Sequence, residues 1–252
     1  MTKSNETNGG KGSGSDAAEK AKSQARKSNL KTRPPSIQER VYNELKLGLM
    51  VGSFLPGQTV SLRKLAEKLN TSLMPVREAI NHLIAERAFE MLPNRSVIVP
   101  EMSREKLDEL VHWRALLEGE AAVKACQNTS ADLIMRLDKL NNEMMAAVEK
   151  RNVRQVLSCN KEFHFQLYYA SQSKVLIPMI ESLWLQMGPF TFFSFLSPDL
   201  IWNSTFHIKI IEALREQDSD KIRDAVVRDI QTLADYLVNS HMFDNVGPRP
   251  VM

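Results

Sequence analysis

The chain is 252 residues long, which is enough for two domains of modest size. It contains only two cysteines, Cys126 and Cys159, far apart in sequence, so a disulfide framework is not expected and a reducing compartment fits. No apolar run is long enough to cross a bilayer and the polar start does not resemble a signal peptide, so we expect a cytoplasmic protein with no membrane partner.

Charge is distributed unevenly along the chain. Residues 1–35 hold eight Lys and Arg residues against three Asp and Glu residues, whereas residues 101–252 hold 17 against 21. Residues 1–35 are also poor in apolar residues and rich in Ser, Gly, Lys and Asn, so we predict a disordered basic tail there. The positive N-terminal part suits a polyanion partner, although the tail itself could be a solvated segment without a partner.

Residues 61–87 show two amphipathic helices separated by a very short turn, after a first helix predicted from Ser36 to about Met50. Leu62, Leu65, Ala66 and Leu69 recur at helical spacing. Ser72 is a suitable N-cap for the next helix, and Pro75 falls in its first turn, where its missing N–H costs nothing. This pattern fits either a helix-turn-helix or an ordinary helical hairpin.

The segment after these helices favours the helix-turn-helix. Two short apolar stretches, residues 89–92 and 97–99, flank Pro93-Asn94-Arg95-Ser96, which predicts a hairpin with a basic tip. A helix-turn-helix followed by such a hairpin is a winged helix-turn-helix. We therefore predict a winged DNA-binding domain over residues 36–100.

The rest of the chain shows no strand pattern. After a linker over residues 101–104, we expect an all-helical domain over residues 105–245, built as a bundle of six or seven helices, so the fold class is mainly α. Ser103, Ser130, Asn152 and Ser219 are candidate N-caps. The predicted helices span residues 104–127, 130–149, 152–171, 174–195, 200–217 and 219–242.

Two stretches of motifs resemble known families. Residues 36–100 resemble the GntR family of bacterial transcription regulators, and the all-helical part resembles the FadR C-terminal-type (FCD) effector domain of one GntR branch. The first resemblance depends on Leu55-Pro56-Gly57, Leu65-Ala66, Pro75-Val76-Arg77-Glu78-Ala79-Ile80 and Pro93-Asn94-Arg95. The second depends on residues 113–118, 160–164, 206–207, 213–214 and 225–230.

Three positions of the winged domain depart from the family pattern. Leu73 stands where the family usually has Arg, which removes a typical DNA-contacting side chain. Arg87 and Ser96 stand where it usually has Gly. Because Gly is used where φ is positive, these two changes predict a reshaped wing.

The resemblance to FCD domains implies a divalent metal, such as zinc, nickel or manganese, bound by Asn160, His164, His207 and Asp229. Asn160 and His164 are four residues apart and share one helix face. Asp229 replaces a His usual in the family, and Asn160 replaces an Asp, which predicts weaker metal binding. The alternative is that both histidines are buried and hydrogen-bonded, with Asp229 as their partner.

Arg114 is the candidate for binding an effector. In the family, an Arg at this place often holds the carboxylate of the effector, and a guanidinium suits that geometry. The alternative is an ion pair with Glu118, four residues further along the same helix.

Together these features predict a homodimeric, sequence-specific DNA-binding regulator, acting by default as a repressor on a pseudo-palindromic operator and controlled by a small organic acid. The expected DNA contacts come from Arg63, Ser72, Arg77 and Arg95. Two alternatives remain: a metal-dependent enzyme with an accessory winged domain, and a DNA-binding or scaffolding protein with no effector. The sequence shows no general base with a clear partner, no phosphate-binding loop and no Ser/His/Asp order. The enzyme hypothesis therefore has no support from catalytic motifs.

Overall fold

The computed structural model describes residues 34–195 and 204–239. Most of the predicted tail over residues 1–35 lies outside these residues. Three helices and a small sheet form the first part of the described chain, and the sheet is antiparallel with strand order β1-β3-β2. The elements are α1 (Ile37–Met50), β1 (Thr59–Val60), α2 (Leu62–Lys68), α3 (Leu73–Ala85), β2 (Glu90–Met91) and β3 (Val97–Ile98).

The predicted winged helix-turn-helix is confirmed, with one strand more than the sequence indicated. Strand β1 pairs with β3 through Thr59 opposite Ile98, which adds a third strand to the predicted hairpin. The apolar stripe of α3 is buried, and its members pack against α1. Those buried residues of α3 are Pro75, Val76, Ala79, Ile80 and Leu83.

The two positions where glycine is usual have different backbone conformations. Arg87, directly after α3, has a φ of 60°, the conformation that usually selects Gly. In the wing, however, the positive φ is at Arg95, with a value of 64°, and not at Ser96. The amide of Ser96 donates to the side-chain oxygen of Asn94 at 2.9 Å, which stabilises the turn around Arg95.

Six α-helices follow over the described part of residues 104–239, which confirms the helical bundle. Pro189 lies inside its helix and does not end it; the helix runs two residues further and continues as a short 3₁₀ turn, Phe192–Phe195. The helices are α4 (Arg104–Gln127), α5 (Ala131–Glu149), α6 (Val153–Tyr169), α7 (Leu176–Thr191), α8 (Thr205–Glu216) and α9 (Ser219–Asn239). None of the described helices is long and apolar enough to cross a membrane.

Three of the four N-caps predicted in the all-helical domain are confirmed. The side chains of Ser103, Ser130 and Asn152 each accept a hydrogen bond from the first turn of the following helix. Ser219 is not the cap of α9, because the carboxylate of Asp218 accepts from the amides of Asp220 and Lys221. An Asp directly before a Ser made either residue a suitable cap.

The winged part and the bundle meet where α1 packs against α7. Lys46 of α1 and Glu181 of α7 form an ion pair of 2.7 Å. Near the carboxyl end of both helices, Gly188 lies directly against the backbone of Leu49 and Met50. Helix α7 therefore connects the winged part with the interior of the bundle, which it also lines.

Candidate metal centre and DNA-binding surface

Three ligand-type side chains from three helices converge inside the bundle. They are His164 of α6, His207 of α8 and Asp229 of α9, and their ligand atoms all lie within 4.8 Å of one another. The Nε2 atoms of the two histidines are 3.3 Å apart, and His164 Nε2 is 3.2 Å from a carboxylate oxygen of Asp229. Both histidines are buried, whereas the Asp229 side chain keeps 28% of its surface exposed.

These residues open onto a cavity of about 110 Å³ in the centre of the bundle. Asn160 lines the same cavity one helical turn before His164, as their spacing predicted. Arg114 of α4 lines it as well, together with Trp184 of α7. The structure therefore brings together all the residues predicted for the metal and the effector.

A chain of buried hydrogen bonds reaches His164 at Nδ1, the ring nitrogen that faces away from Asp229. Tyr168 donates its hydroxyl hydrogen to Glu118 over 2.5 Å, and the same hydroxyl oxygen lies 3.1 Å from His164 Nδ1. Glu118 also accepts from Arg114 Nε over 2.6 Å. Since the Tyr168 hydrogen is used for Glu118, His164 can only donate to the phenol oxygen, and this places its hydrogen on Nδ1.

The environment sets the protonation of the other groups. Burial lowers the pKa of His207 to about 3, only partly opposed by the Asp229 charge, so this ring is neutral at physiological pH. Burial raises the pKa of the Asp229 carboxyl, but its hydrogen bond with His164 and the surrounding positive charge outweigh this and leave the pKa below its ordinary value. Asp229 is therefore a carboxylate, and His207 is a neutral imidazole.

The donor set fits a divalent cation. Two imidazole nitrogens, His164 Nε2 and His207 Nε2, meet beside the Asp229 carboxylate. The ring of His207 is neutral, and its buried Nδ1 has no hydrogen-bond partner among the described residues. A cation would accept lone pairs from all three groups. Two nitrogens bound tetrahedrally at zinc distances would lie about 3.3 Å apart, and the two Nε2 atoms are 3.3 Å apart.

Arg114 adopts the alternative arrangement that the sequence left open. Its guanidinium pairs with Glu118 through Nε and through Nη2, the latter at 3.3 Å, and lies 4.8 Å from the centre of the Trp184 ring. Burial would lower the pKa of Arg114, but the charge and hydrogen bonds of Glu118 outweigh burial and raise it. Glu118 was predicted only as this partner, and Tyr168 was not predicted at all, although it follows His164 by four residues.

The four residues predicted to contact DNA are all exposed on one part of the fold. Arg63 lies on α2, Ser72 and Arg77 lie at the start of α3, and Arg95 lies at the wing tip. None of the three arginines forms an ion pair with a carboxylate in the described chain. Ser72 precedes α3 in an extended conformation, but its side chain makes no cap hydrogen bond; one of its usual donors is missing, because Pro75 has no N–H.

Comparison with known proteins agrees with this architecture. Residues 37–99 match the model of bacterial regulatory proteins of the gntR family, and residues 109–232 match the FCD domain. The HTH-type transcriptional regulator McbR of Escherichia coli K12 is 34% identical over 154 residues, which are 61% of this chain and 70% of McbR. The Nta operon transcriptional regulator of Aminobacter aminovorans is 28% identical over 165 residues, 66% of this chain and 78% of the relative.

Solved structures show the same fold. The structure of E. coli McbR/YncC has a TM-score of 0.75 at 28% identity and covers 82% of this chain and 100% of its own. A GntR regulator from Rhodococcus sp. RHA1 has a TM-score of 0.63 at 20% identity and covers 81% of this chain and 98% of its own. The chain belongs to the GntR family of transcription regulators, and its C-terminal part is an FCD domain.

Proposed function

We propose that this regulator is a homodimeric repressor whose affinity for a pseudo-palindromic operator is controlled by a small carboxylate bound in the FCD cavity. The observation that carries the proposal is the convergence of a cation, Arg114, and a metal-type cluster, His164, His207 and Asp229, on one cavity lined by α7. The same helix packs against α1 of the DNA-binding part. A ligand in the cavity can thereby affect how DNA is bound.

In this proposal, α3 enters the major groove. Arg77 and Arg63 contact bases or phosphates, the Ser72 hydroxyl donates to a phosphate, and Arg95 reaches from the wing toward the minor groove. Exposed cations without carboxylate partners in the described chain are suited to this, because their charge is available to phosphates. Two copies would place their recognition helices in successive major grooves.

His164, His207 and Asp229 would hold the metal, with Asn160 as a fourth, weaker ligand. Zinc, nickel or manganese fits two imidazoles, one carboxylate and one amide, and the ion when bound supplies a Lewis-acidic position for a carboxylate of the effector. Tyr168 fixes the orientation of the His164 ring through Nδ1. Arg114, held in place by Glu118, contributes the second positive group at the cavity wall.

The DNA-binding half of the proposal is tested with Arg77→Ala in the full-length dimer. We expect weaker binding to a duplex selected from a random library, with a shallower dependence on salt if Arg77 contacts a phosphate. Arg136→Ala is the matched control, since Arg136 is also an exposed helical arginine but lies on α5 of the FCD domain. Unchanged affinity of the Arg77 variant would show that α3 is not the recognition helix.

The effector half is tested by thermal unfolding of the metal-loaded protein with a panel of mono-, di- and tricarboxylates. We expect one class to raise the melting temperature and to weaken operator binding. A carboxylate that raises the melting temperature but leaves DNA affinity unchanged would separate binding from regulation and contradict the proposed control.

A further inference from the structure

The first turn of the recognition helix presents two large apolar side chains to solvent. Leu73 is 42% exposed and Met74 is 64% exposed, although α3 buries a complete apolar stripe on its other side. The other exposed positions of α3 are the polar residues Arg77, Glu78, Asn81 and His82 and the small Ala85 at its end. The exposure of large apolar side chains is thus confined to the end of the helix that approaches base edges in helix-turn-helix proteins.

The surroundings of this apolar pair identify its partner as DNA. Arg77 follows Leu73 by four residues on the same helix face, and Arg63 and Lys64 are exposed on the preceding helix. These cations form no ion pair with a carboxylate among residues 34–195 and 204–239. An apolar partner protein would have to bury their charge at a considerable cost, whereas a DNA groove offers phosphates to the cations and bases to the apolar pair.

The major groove exposes one apolar group, the C5-methyl of thymine. Leu73 has no donor for the acceptors of guanine, so it gains nothing from that base and would remove water from those acceptors. When Leu73 packs against a thymine methyl, apolar surface is buried on both sides and no polar group loses its partner.

We propose that Leu73 and Met74 contact thymine methyl groups, so that each half of the operator carries thymine at one or two positions under the first turn of α3. This inference depends on the proposed recognition role of α3 and adds the base that the helix reads. Arg77 and Ser72 then position the helix on the backbone, while Leu73 and Met74 supply part of the specificity.

The test uses the full-length protein and a duplex selected from a random library. Each thymine is replaced in turn by deoxyuridine, which removes only the methyl group, and dissociation constants are measured by fluorescence anisotropy at fixed salt. Burying one methyl group changes affinity by about fourfold, so we expect a loss of this size at one or two positions per half-site and none elsewhere.

The variants Leu73→Ala and Met74→Ala show which side chain reads which methyl. Each variant should bind the thymine duplex more weakly than the original protein. At the thymine that the missing side chain contacts, replacement by deoxyuridine should no longer weaken binding, while the effect at the other thymine should remain. Met135→Ala is the matched control, because Met135 is also 64% exposed but lies on α5 of the FCD domain. It should keep both the affinity and the deoxyuridine effect of the original protein.

A second variant tests the same idea in the opposite direction. Leu73→Arg introduces a bidentate donor for guanine, so selection from the library should yield guanine where the original protein selects thymine. The proposal would be overturned if deoxyuridine weakened binding at no position. It would also be overturned if the double variant Leu73→Ala/Met74→Ala showed the full deoxyuridine effect. If Arg77→Ala still weakens binding in that case, the recognition helix is correctly assigned and only the thymine contact is wrong.

Discussion

Gly188 of α7 lies directly against the backbone carbonyl of Leu49 in α1, and a Cβ atom added to it would also come within 2.7 Å of the Met50 Cα. No side chain separates the two helices at this point. Because Gly188 also lines the cavity of the FCD domain, a single residue contacts both the proposed effector site and the DNA-binding part. Any movement of α7 at Gly188 is therefore passed directly to α1.

Gly188→Ala should destabilise the protein, because the new methyl group collides with backbone, which cannot turn away. We expect a loss of about 1–3 kcal/mol in the free energy of unfolding, measured by urea denaturation. Gly119→Ala is the control: its Cβ would meet Arg223 Cγ at 3.4 Å, an ordinary contact, and alanine favours the helix. Equal stability of the two variants would show that α1 and α7 can separate at no cost.

The buried pair of Arg114 and Glu118 predicts a different kind of loss. Glu118 is fully buried, and Arg114→Ala would leave its carboxylate with only the Tyr168 hydroxyl as a partner. We expect a cost of about 3–5 kcal/mol in unfolding experiments. Arg104→Ala removes an exposed pair with Asp108 at the same spacing of four residues, and should change stability by less than about 0.5 kcal/mol.

This result also bears on the effector. A variant that loses several kcal/mol cannot report on ligand binding, so Arg114→Lys, which keeps the charge, is the appropriate probe. If Arg114→Ala were no more costly than Arg104→Ala, the ion pair with Glu118 would not be structural, and the guanidinium would be available to a ligand at little cost.

The sequence predicted the helices well because their signals are local. The apolar stripe of α3 and the caps at Ser103 and Ser130 need only neighbouring residues to be recognised. The left-handed residue of the wing, Arg95, was not predicted, because the hydrogen bond between the Asn94 side chain and the Ser96 amide cannot be recognised from residue types alone. Strand β1 was missed because it pairs with β3 through Thr59 opposite Ile98, and a pairing between residues so far apart in sequence leaves no local pattern.

The site shows the same division between local and long-range information. The family resemblance pointed to His164, His207 and Asp229, and the structure brings them together, while metal binding itself stays a prediction. The hydrogen bond between Tyr168 and Glu118 joins α6 to α4 across 50 residues. Its formation depends on the relative register of two helices, which no local spacing reveals.

The depressed pKa of His207 predicts that the metal-free protein loses stability in weak acid. Unfolded His207 would bind a proton near pH 6.5, whereas the folded residue binds one only near pH 3. Between these values the unfolded state holds more protons, so stability falls as the pH falls. From pH 7.5 to pH 5 the loss should be about 2 kcal/mol.

Chemical denaturation at both pH values, with chelator present, measures this loss. His207→Gln should remove most of it, because glutamine does not titrate. His82→Gln should leave it unchanged, since the His82 side chain is 65% exposed. A pH dependence that survives in the His207 variant would assign the effect to other groups.

Asp229 is the ligand whose loss should weaken the metal site most specifically. Its carboxylate is the one anionic donor of the cluster, so Asp229→Ala should raise the dissociation constant for zinc by at least about tenfold. Competition with a chromophoric chelator measures this value on stripped protein. Asp224→Ala, on the exposed face of the same helix, should leave it unchanged; equal zinc affinity in both variants would exclude Asp229 as a ligand.

Arg87 carries a left-handed backbone conformation, with φ at 60°, at the junction between α3 and the wing. This conformation costs an L-residue with a side chain about 1–2 kcal/mol, whereas glycine adopts it freely. Glycine also has more freedom to lose on folding, which offsets part of the gain. We therefore expect Arg87→Gly to stabilise the protein by about 0.5–1 kcal/mol.

The same substitution within a helix should act in the opposite direction. Arg136 is an exposed arginine in the middle of α5, and Arg136→Gly should cost about 1 kcal/mol. Arg87→Gly also removes a positive charge that lowers the pKa of Lys106, so the gain should be measured at high salt, where this repulsion is screened. If Arg87→Gly destabilises the protein there as much as Arg136→Gly does, the Arg87 side chain must make contacts that outweigh the strain of its backbone.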